Sequence, residues 1–168
     1  GVFNRSEQIP GGARLDQSDG SSWMAMYCLN MLKIALELSR FDESWDGVVT
    51  KFFEHFLAIA EAMNAFGSHE VSLWHEDDGF FYDVLVAPDG TSEPLRVRSM
   101  VGLLPILGAT EIPAWVSERL PDVADRVRWL QKRRPELMGP LRGRSAPEGR
   151  RLLLSLVGKA RLQRILQR

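Results

Sequence analysis

The sequence predicts an all-α fold of stacked helical layers that carries one small β-hairpin. Two observations lead there. Two successive long stretches are apolar over more than half of a helical circumference, and a single stretch near residues 80–98 switches to the two-residue period of a strand.

Residues 1–20 read as a loop, because "IPGGARLDQSDG" combines Pro10, Gly11, Gly12 and Gly20 with short polar side chains. The first helix is predicted from Ser21 or Ser22 to Ser39. After its start its polar residues are Asn30, Lys33 and Glu37, which share one narrow stripe, and the rest of Trp23 to Leu38 is apolar or small. A surface helix shows one apolar stripe, so this pattern predicts a helix wrapped by protein over most of its circumference. A second helix is predicted from Trp45 to Phe66, with Lys51, Glu54, Glu61 and Asn64 outward and Phe52, Phe53, Phe56, Leu57, Ala60 and Met63 inward. Gly67 suits its end. Two helices this apolar imply layers beyond a four-helix bundle, of which the chain supplies only some.

In "GFFYDVLVAPDGTSEPLRV", Phe80, Tyr82, Val84 and Val86 alternate with Phe81, Asp83 and Leu85, and Pro88-Asp89-Gly90 is good turn chemistry. A hairpin follows from these two features. "SMVGLLPILG" reads as a short buried helix capped by Ser99, tightened at Pro105 and ended at Gly108. Short helices are predicted at Ala114–Leu120 and Asp122–Arg133, and a last basic amphipathic helix runs from Pro147 to the end. The division is thus a loop over 1–20, a helical core over 21–110 and a basic helical remainder over 111–168.

With 45% hydrophobic and 26% charged residues among 168, the chain has the composition of a globular protein and not of a disordered, collagenous or disulfide-scaffold one. Cys28 is the single cysteine and sits in the apolar first helix, where packing is the expected role. No run approaches the length of a membrane span and no basic-then-apolar leader is visible, so the expectation is a soluble, cytoplasmic protein without a membrane partner. The absence of an initiator Met at Gly1 and the helical pattern at Arg168 suggest a piece of a longer protein.

The net charge of -1 conceals an asymmetry. Residues 1–125 hold 8 Lys+Arg against 20 Asp+Glu, a balance of -12, and residues 126–168 hold 13 against 2, a balance of +11. A basic segment can serve nucleic acid, but this one is rich in Leu with Trp129 as its sole aromatic, which favours neutralisation within the protein.

The most specific stretch is "DQSDGSSWMAMYCLNML", Asp16 to Leu32. Asp19 or Ser21 can cap the helix, but Asp16, Gln17, Ser18 and Asp19 together exceed a cap's needs, and Trp23 follows one turn later, so a polar ligand site is the competing reading. "WHEDDG", Trp74 to Gly79, lacks the spacing of zinc or calcium ligands. His55 and His69 read as surface or capping residues. Phosphate loops, dinucleotide fingerprints and nucleophile elbows have no counterpart here, and neither a cofactor nor a metal is expected.

Four ordered segments, "GVFNRS", "DQSDGSSWMAMYCLNML", "LWHEDDGFFYDVL" and "PLRVRSMVGLLPI", resemble successive blocks of the bacterial glucosidase-like branch of glycoside hydrolase family 63, related to mannosyl-oligosaccharide glucosidase. The resemblance covers roughly residues 1–110. It implies a partial (α/α)6 toroid with a hairpin insertion, and inverting hydrolysis of an α-glucosidic or α-mannosidic bond by an acid and a base about 6.5–9.5 Å apart. It places the general acid just before Gly1 and the general base beyond Arg168, so no catalytic residue is expected within the chain and the fragment alone is expected to be inactive. What it leaves to this chain is pocket wall: Arg5, Gln17 and Asp19, with the Trp23 and Trp74 rings as sugar platforms or, equally, as core. The implied partners are an oligosaccharide or glycoside substrate and the remaining half of the catalytic domain. The alternatives are a stand-alone helical binding module whose basic C-terminal segment contacts nucleic acid or an acidic partner, and a lectin-like carbohydrate binder that has lost the chemistry.

Overall fold

A computed structural model describes residues 9–64, 72–133, 135–140 and 152–167. The described chain begins with a turn at Pro10–Gly12, where Gly11 and Gly12 take positive φ, and continues as β1 (Arg14–Asp16), α1 (Ser18–Ser39) and α2 (Asp46–Asn64). Four short strands follow: β2 (Trp74–His75), β3 (Phe80–Phe81), β4 (Asp83–Val86) and β5 (Ser92–Leu95). A 3₁₀ helix at Met100–Leu107 leads to β6 (Ala109–Ile112), α3 (Val116–Arg119), α4 (Pro121–Arg133), β7 (Met138–Pro140), β8 (Leu152–Ser155) and α5 (Lys159–Leu166).

α1 and α2 form the central pair. Ala25, Leu29, Leu32 and Leu36 recur at helical spacing on α1 and join Val49, Phe53, Phe56 and Ala60 of α2 in one buried cluster. The same cluster takes in Phe81 and Val84 from the strands, Val127 and Leu130 from α4, and Ile165 from α5, so one core unites the described elements.

The strands form three antiparallel sheets among the described residues, ordered β1-β4-β5, β2-β3 and β6-β8-β7. β4 and β5 make the expected hairpin, with Asp83 opposite Leu95 and Val86 opposite Ser92, closed by the Ala87–Thr91 turn in which Gly90 has φ 85°. β1 adds to its other edge with Arg14 opposite Val86 and Asp16 opposite Val84.

These sheets correct the predicted fold class. The protein is a mixed α/β structure of five α-helices and three small sheets among its described residues, and not an all-α partial (α/α)6 toroid. The β2–β3 pair, β6 and β7 have no counterpart in the expected fold, and two further segments differ from their expected structure. The loop expected over residues 1–20 contains β1, whose partner lies in the hairpin about 70 residues later and leaves no local trace. The last helix expected from Pro147 is partly a strand: Leu152–Ser155 is short enough to serve as the central strand between β6 and β7, and α5 starts only at Lys159.

Other expectations meet the structure closely. The first helix starts three residues before Ser21, the second is described as far as Asn64, and the expected end at Phe66 and Gly67 lies outside the described residues, as does His69. Ser99 Oγ accepts from the Val101 amide at the head of the 3₁₀ helix, and Gly108 ends it. That helix is half-covered: Gly102 and Pro105 are buried, and Met100, Leu103 and Leu107 are exposed. α1 likewise is covered on one side only, in contrast to the all-round burial its composition predicts.

The charge asymmetry is partly taken up internally. Arg126 of α4 pairs with Glu54 of α2 at 2.5 Å, Arg128 with Asp125, and Arg164 of α5 with Glu76. Among the described residues no helix is long and apolar enough to cross a membrane.

Candidate functional site at the start of α1

The sheet delivers the chain to α1. β1 runs antiparallel to β4, Gln17 stays extended (φ -99°, ψ 123°) and the helix begins at Ser18. Its first amide is met from another element: Ser18 N donates to Asp83 Oδ1 at 2.8 Å. Asp83 is 6% exposed, so its carboxylate lies in a dry setting against the positive end of the α1 dipole. Asp19, expected as cap, is also buried and accepts from the neighbouring Gly20 amide at 2.7 Å. Ser22 Oγ donates to the Ser18 carbonyl at 2.5 Å, which satisfies the buried hydroxyl within the first turn.

Beside this helix start lies a cleft of about 520 Å³. One wall is polar, made by Arg14, Asp16, Gln17 and Ser21. The other is apolar, made by Met24 of α1, Ile59 and Met63 of α2, and Leu73. Arg14 Nε donates to Asp16 Oδ1 at 2.8 Å, so the rim carries a fixed ion pair, and Asp16 is the single carboxylate among its described lining residues. A pocket with a few convergent polar groups over an apolar floor is the general form of a small-molecule site.

Of the residues expected at a pocket, the structure brings Gln17 to this cleft and buries Asp19 just behind it. Arg5 lies outside the described residues. Trp23 is 39% exposed on the outward side of α1 and does not line the cleft.

Trp74 is 5% exposed in β2 and has no open face to offer a sugar ring. Its indole meets Phe81 edge-on at 5.0 Å, and the guanidiniums of Arg161 and Arg164 lie 4.9 and 5.4 Å from its centroid. Its Nε1 donates to Glu76 Oε2 at 2.6 Å. That bond, with Arg164 beside it, holds the Glu76 carboxyl below the usual range. Trp74 is therefore a packing centre that ties α5 to the β2–β3 strands.

The "WHEDDG" segment folds into the turn between those strands, with Gly79 at φ 60°. Asp78 accepts two hydrogen bonds from Arg96, at 2.7 and 2.9 Å, and one from Tyr82 Oη at 3.1 Å. The Arg96 bond, with smaller help from Tyr82 and His75, lowers its carboxyl to about 2. These bonds commit the Asp78 oxygens to the fold. Among the described residues no three His, Cys, Asp or Glu side chains are grouped so as to hold a metal.

Sequence reasoning missed Arg14 as rim and Ile59, Met63 and Leu73 as floor, because these come together only when β1 joins the hairpin. One signal was available for Asp83: it is the lone charge within "FFYDVLV", and a carboxylate in an apolar strand needs a donor.

Comparison with known proteins finds a relative far longer than this chain. It is 36% identical over 181 residues to the uncharacterized protein YMR196W of Saccharomyces cerevisiae, a match that takes in 100% of this chain and 16% of that protein. No family model matches, and no solved structure matches.

Proposed function

We propose that this chain is a non-catalytic wall segment of a larger glycoside hydrolase acting on α-glucosidic or α-mannosidic bonds, and that its contribution is the cleft at the start of α1. The observation that carries this reading is the pairing in one cleft of a polar rim, Arg14, Asp16, Gln17 and Ser21, with an apolar floor of Met24, Ile59 and Leu73. The resemblance of four segments to glycoside hydrolase family 63 supplies the reaction class. Inverting hydrolysis needs two carboxyl groups across the bond. The cleft offers Asp16 alone among its described residues, already paired with Arg14, so the acid and the base come from elsewhere in the longer polypeptide.

The test is a titration of the isotope-labelled chain with glucose and mannose disaccharides, followed by amide NMR. Shifts confined to the Gln17, Gly20 and Ser21 amides, weakened by Gln17→Ala, are the expected result, with no hydrolysis by the chain alone. Absence of any shift at millimolar sugar would overturn the reading. Turnover by the isolated chain would overturn the placement of the carboxyl pair.

The basic-module alternative has less support. Arg126, Arg128 and Arg164 pair with acidic groups of the same chain, and Arg161 donates to Asn64 and lies over Trp74.

A further inference from the structure

α1 is apolar on two sides, and the structure covers one of them. Opposite the buried Ala25, Leu29 and Leu32, the side chains of Trp23, Tyr27, Met31, Ile34, Leu38 and Phe41 recur at intervals of three and four and stand exposed. Tyr27 is 59% exposed, Ile34 51% and Phe41 82%. From Trp23 to Leu38 the stripe follows one face of the helix, and Phe41 continues it just past the helix end at Ser39. The 3₁₀ helix packed against α1 adds Met100, Leu103 and Leu107, also exposed. A monomer rarely exposes an apolar stripe that runs along a helix face in this way.

The chemistry of the face selects its occupant. Lys33 is the sole basic residue in α1, so the face has neither the cations that phosphates require nor the Lys/Arg border of a helix that lies on a membrane. What suits it is another apolar protein layer, the second of the two that a helix apolar on both sides requires. The source of that layer is suggested by length: the whole chain matches 16% of its yeast relative, so most of that polypeptide lies outside the match.

We propose that the outward face of α1, with Met100, Leu103 and Leu107, is an intramolecular docking surface on which another stretch of the same longer polypeptide packs as a second apolar layer. This assignment stands apart from the carbohydrate reading, since it involves neither the cleft rim nor any sugar.

Hydroxyl-radical footprinting tests it, because Trp, Tyr and Met side chains are among the most readily oxidised when exposed. The chain alone and the full-length yeast relative are oxidised in parallel, with the dose normalised to an added dye. In the chain alone, Trp23, Tyr27, Met31 and Met100 are expected to react as readily as the exposed Trp129; in the full-length relative, the reactive side chains aligned with the α1 stripe are expected to be protected several-fold. Equal reactivity in both would overturn the proposal. So would protection in the chain alone that Ile34→Glu abolishes together with a dimer, which would assign the face to a second copy. Ile34→Glu should leave the thermal melt of the chain unchanged while the aligned substitution lowers the melting temperature of the full-length relative. A drop in the isolated chain as well would mean that position 34 belongs to the local core, against the assignment.

Discussion

Gly102 offers a sharp test of how the 3₁₀ helix meets the strands. A Cβ at this position would lie well inside van der Waals contact with the Phe80 ring and the Phe81 carbonyl. Both residues are buried, at 6% and 1% exposure, and the obstacle includes backbone, so neither can swing aside cheaply. Two effects of Gly102→Ala oppose each other. Restricting the unfolded chain favours the variant by about 0.4–1 kcal/mol, whereas overpacking a tight core contact costs about 1–3 kcal/mol. The clash is expected to win by about 1–2 kcal/mol, which for a domain of this size lowers Tm by roughly 2–8 °C. Gly47→Ala is the control: it sits in α2 with no atom within 4 Å of the added Cβ, so only the favourable effect remains and Tm should rise. Calorimetry on the two variants decides the matter, and a Gly102→Ala protein as stable as its parent would refute the close approach.

Two further outcomes follow from the polar contacts. Asp83→Ala leaves the Ser18 amide at the buried head of α1 without its acceptor and should cost about 1–3 kcal/mol, read as a fall in the urea midpoint at constant slope; an unchanged midpoint would show that Asp83 does not hold the helix. Asp78 has a depressed carboxyl, about 2 against an ordinary 3.8, so its contribution to stability is fully present above pH 4 and is lost as the pH falls toward 2. Removing the guanidinium with Arg96→Ala should raise the Asp78 midpoint toward 3.8 in a carboxyl-carbon NMR titration, and an identical midpoint in both proteins would discount the pair.

What could be read from the sequence was local. α1 and α2 repeat one pattern over about six and about five turns, long enough for the 3.6-residue period to stand out, and the Ser99 cap and Pro88-Asp89-Gly90 turn are decided within a few residues. What could not be read depends on pairing at a distance. β1 is recognisable only beside β4, and "LLLS" at residues 152–155 has the composition of a helix turn until β6 and β7 flank it. The site shows the same limit. A Trp next to a polar run is either platform or core, and the deciding groups for Trp74 are arginines on α5. Asp19 reads as a cap for a helix that begins at Ser21, but the helix begins at Ser18, and Asp83 reaches its first amide from the hairpin. The all-round apolar character of α1 was plain, and its meaning changed: half of it faces the core and half faces outward.

The clamp of α5 on Trp74 also has a long reach along the chain. The Arg164–Glu76 contact joins positions 88 residues apart, and the Arg161–Asn64 bond spans 97, so these contacts close far larger loops than the hairpin or the α1–α2 pair. During synthesis α1, α2 and β1–β5 emerge well before α5, so the side of Trp74 that α5 covers has no cover until the chain reaches it. In a variant whose other four tryptophans are replaced by Phe, a change in indole fluorescence is the expected sign that α5 has docked.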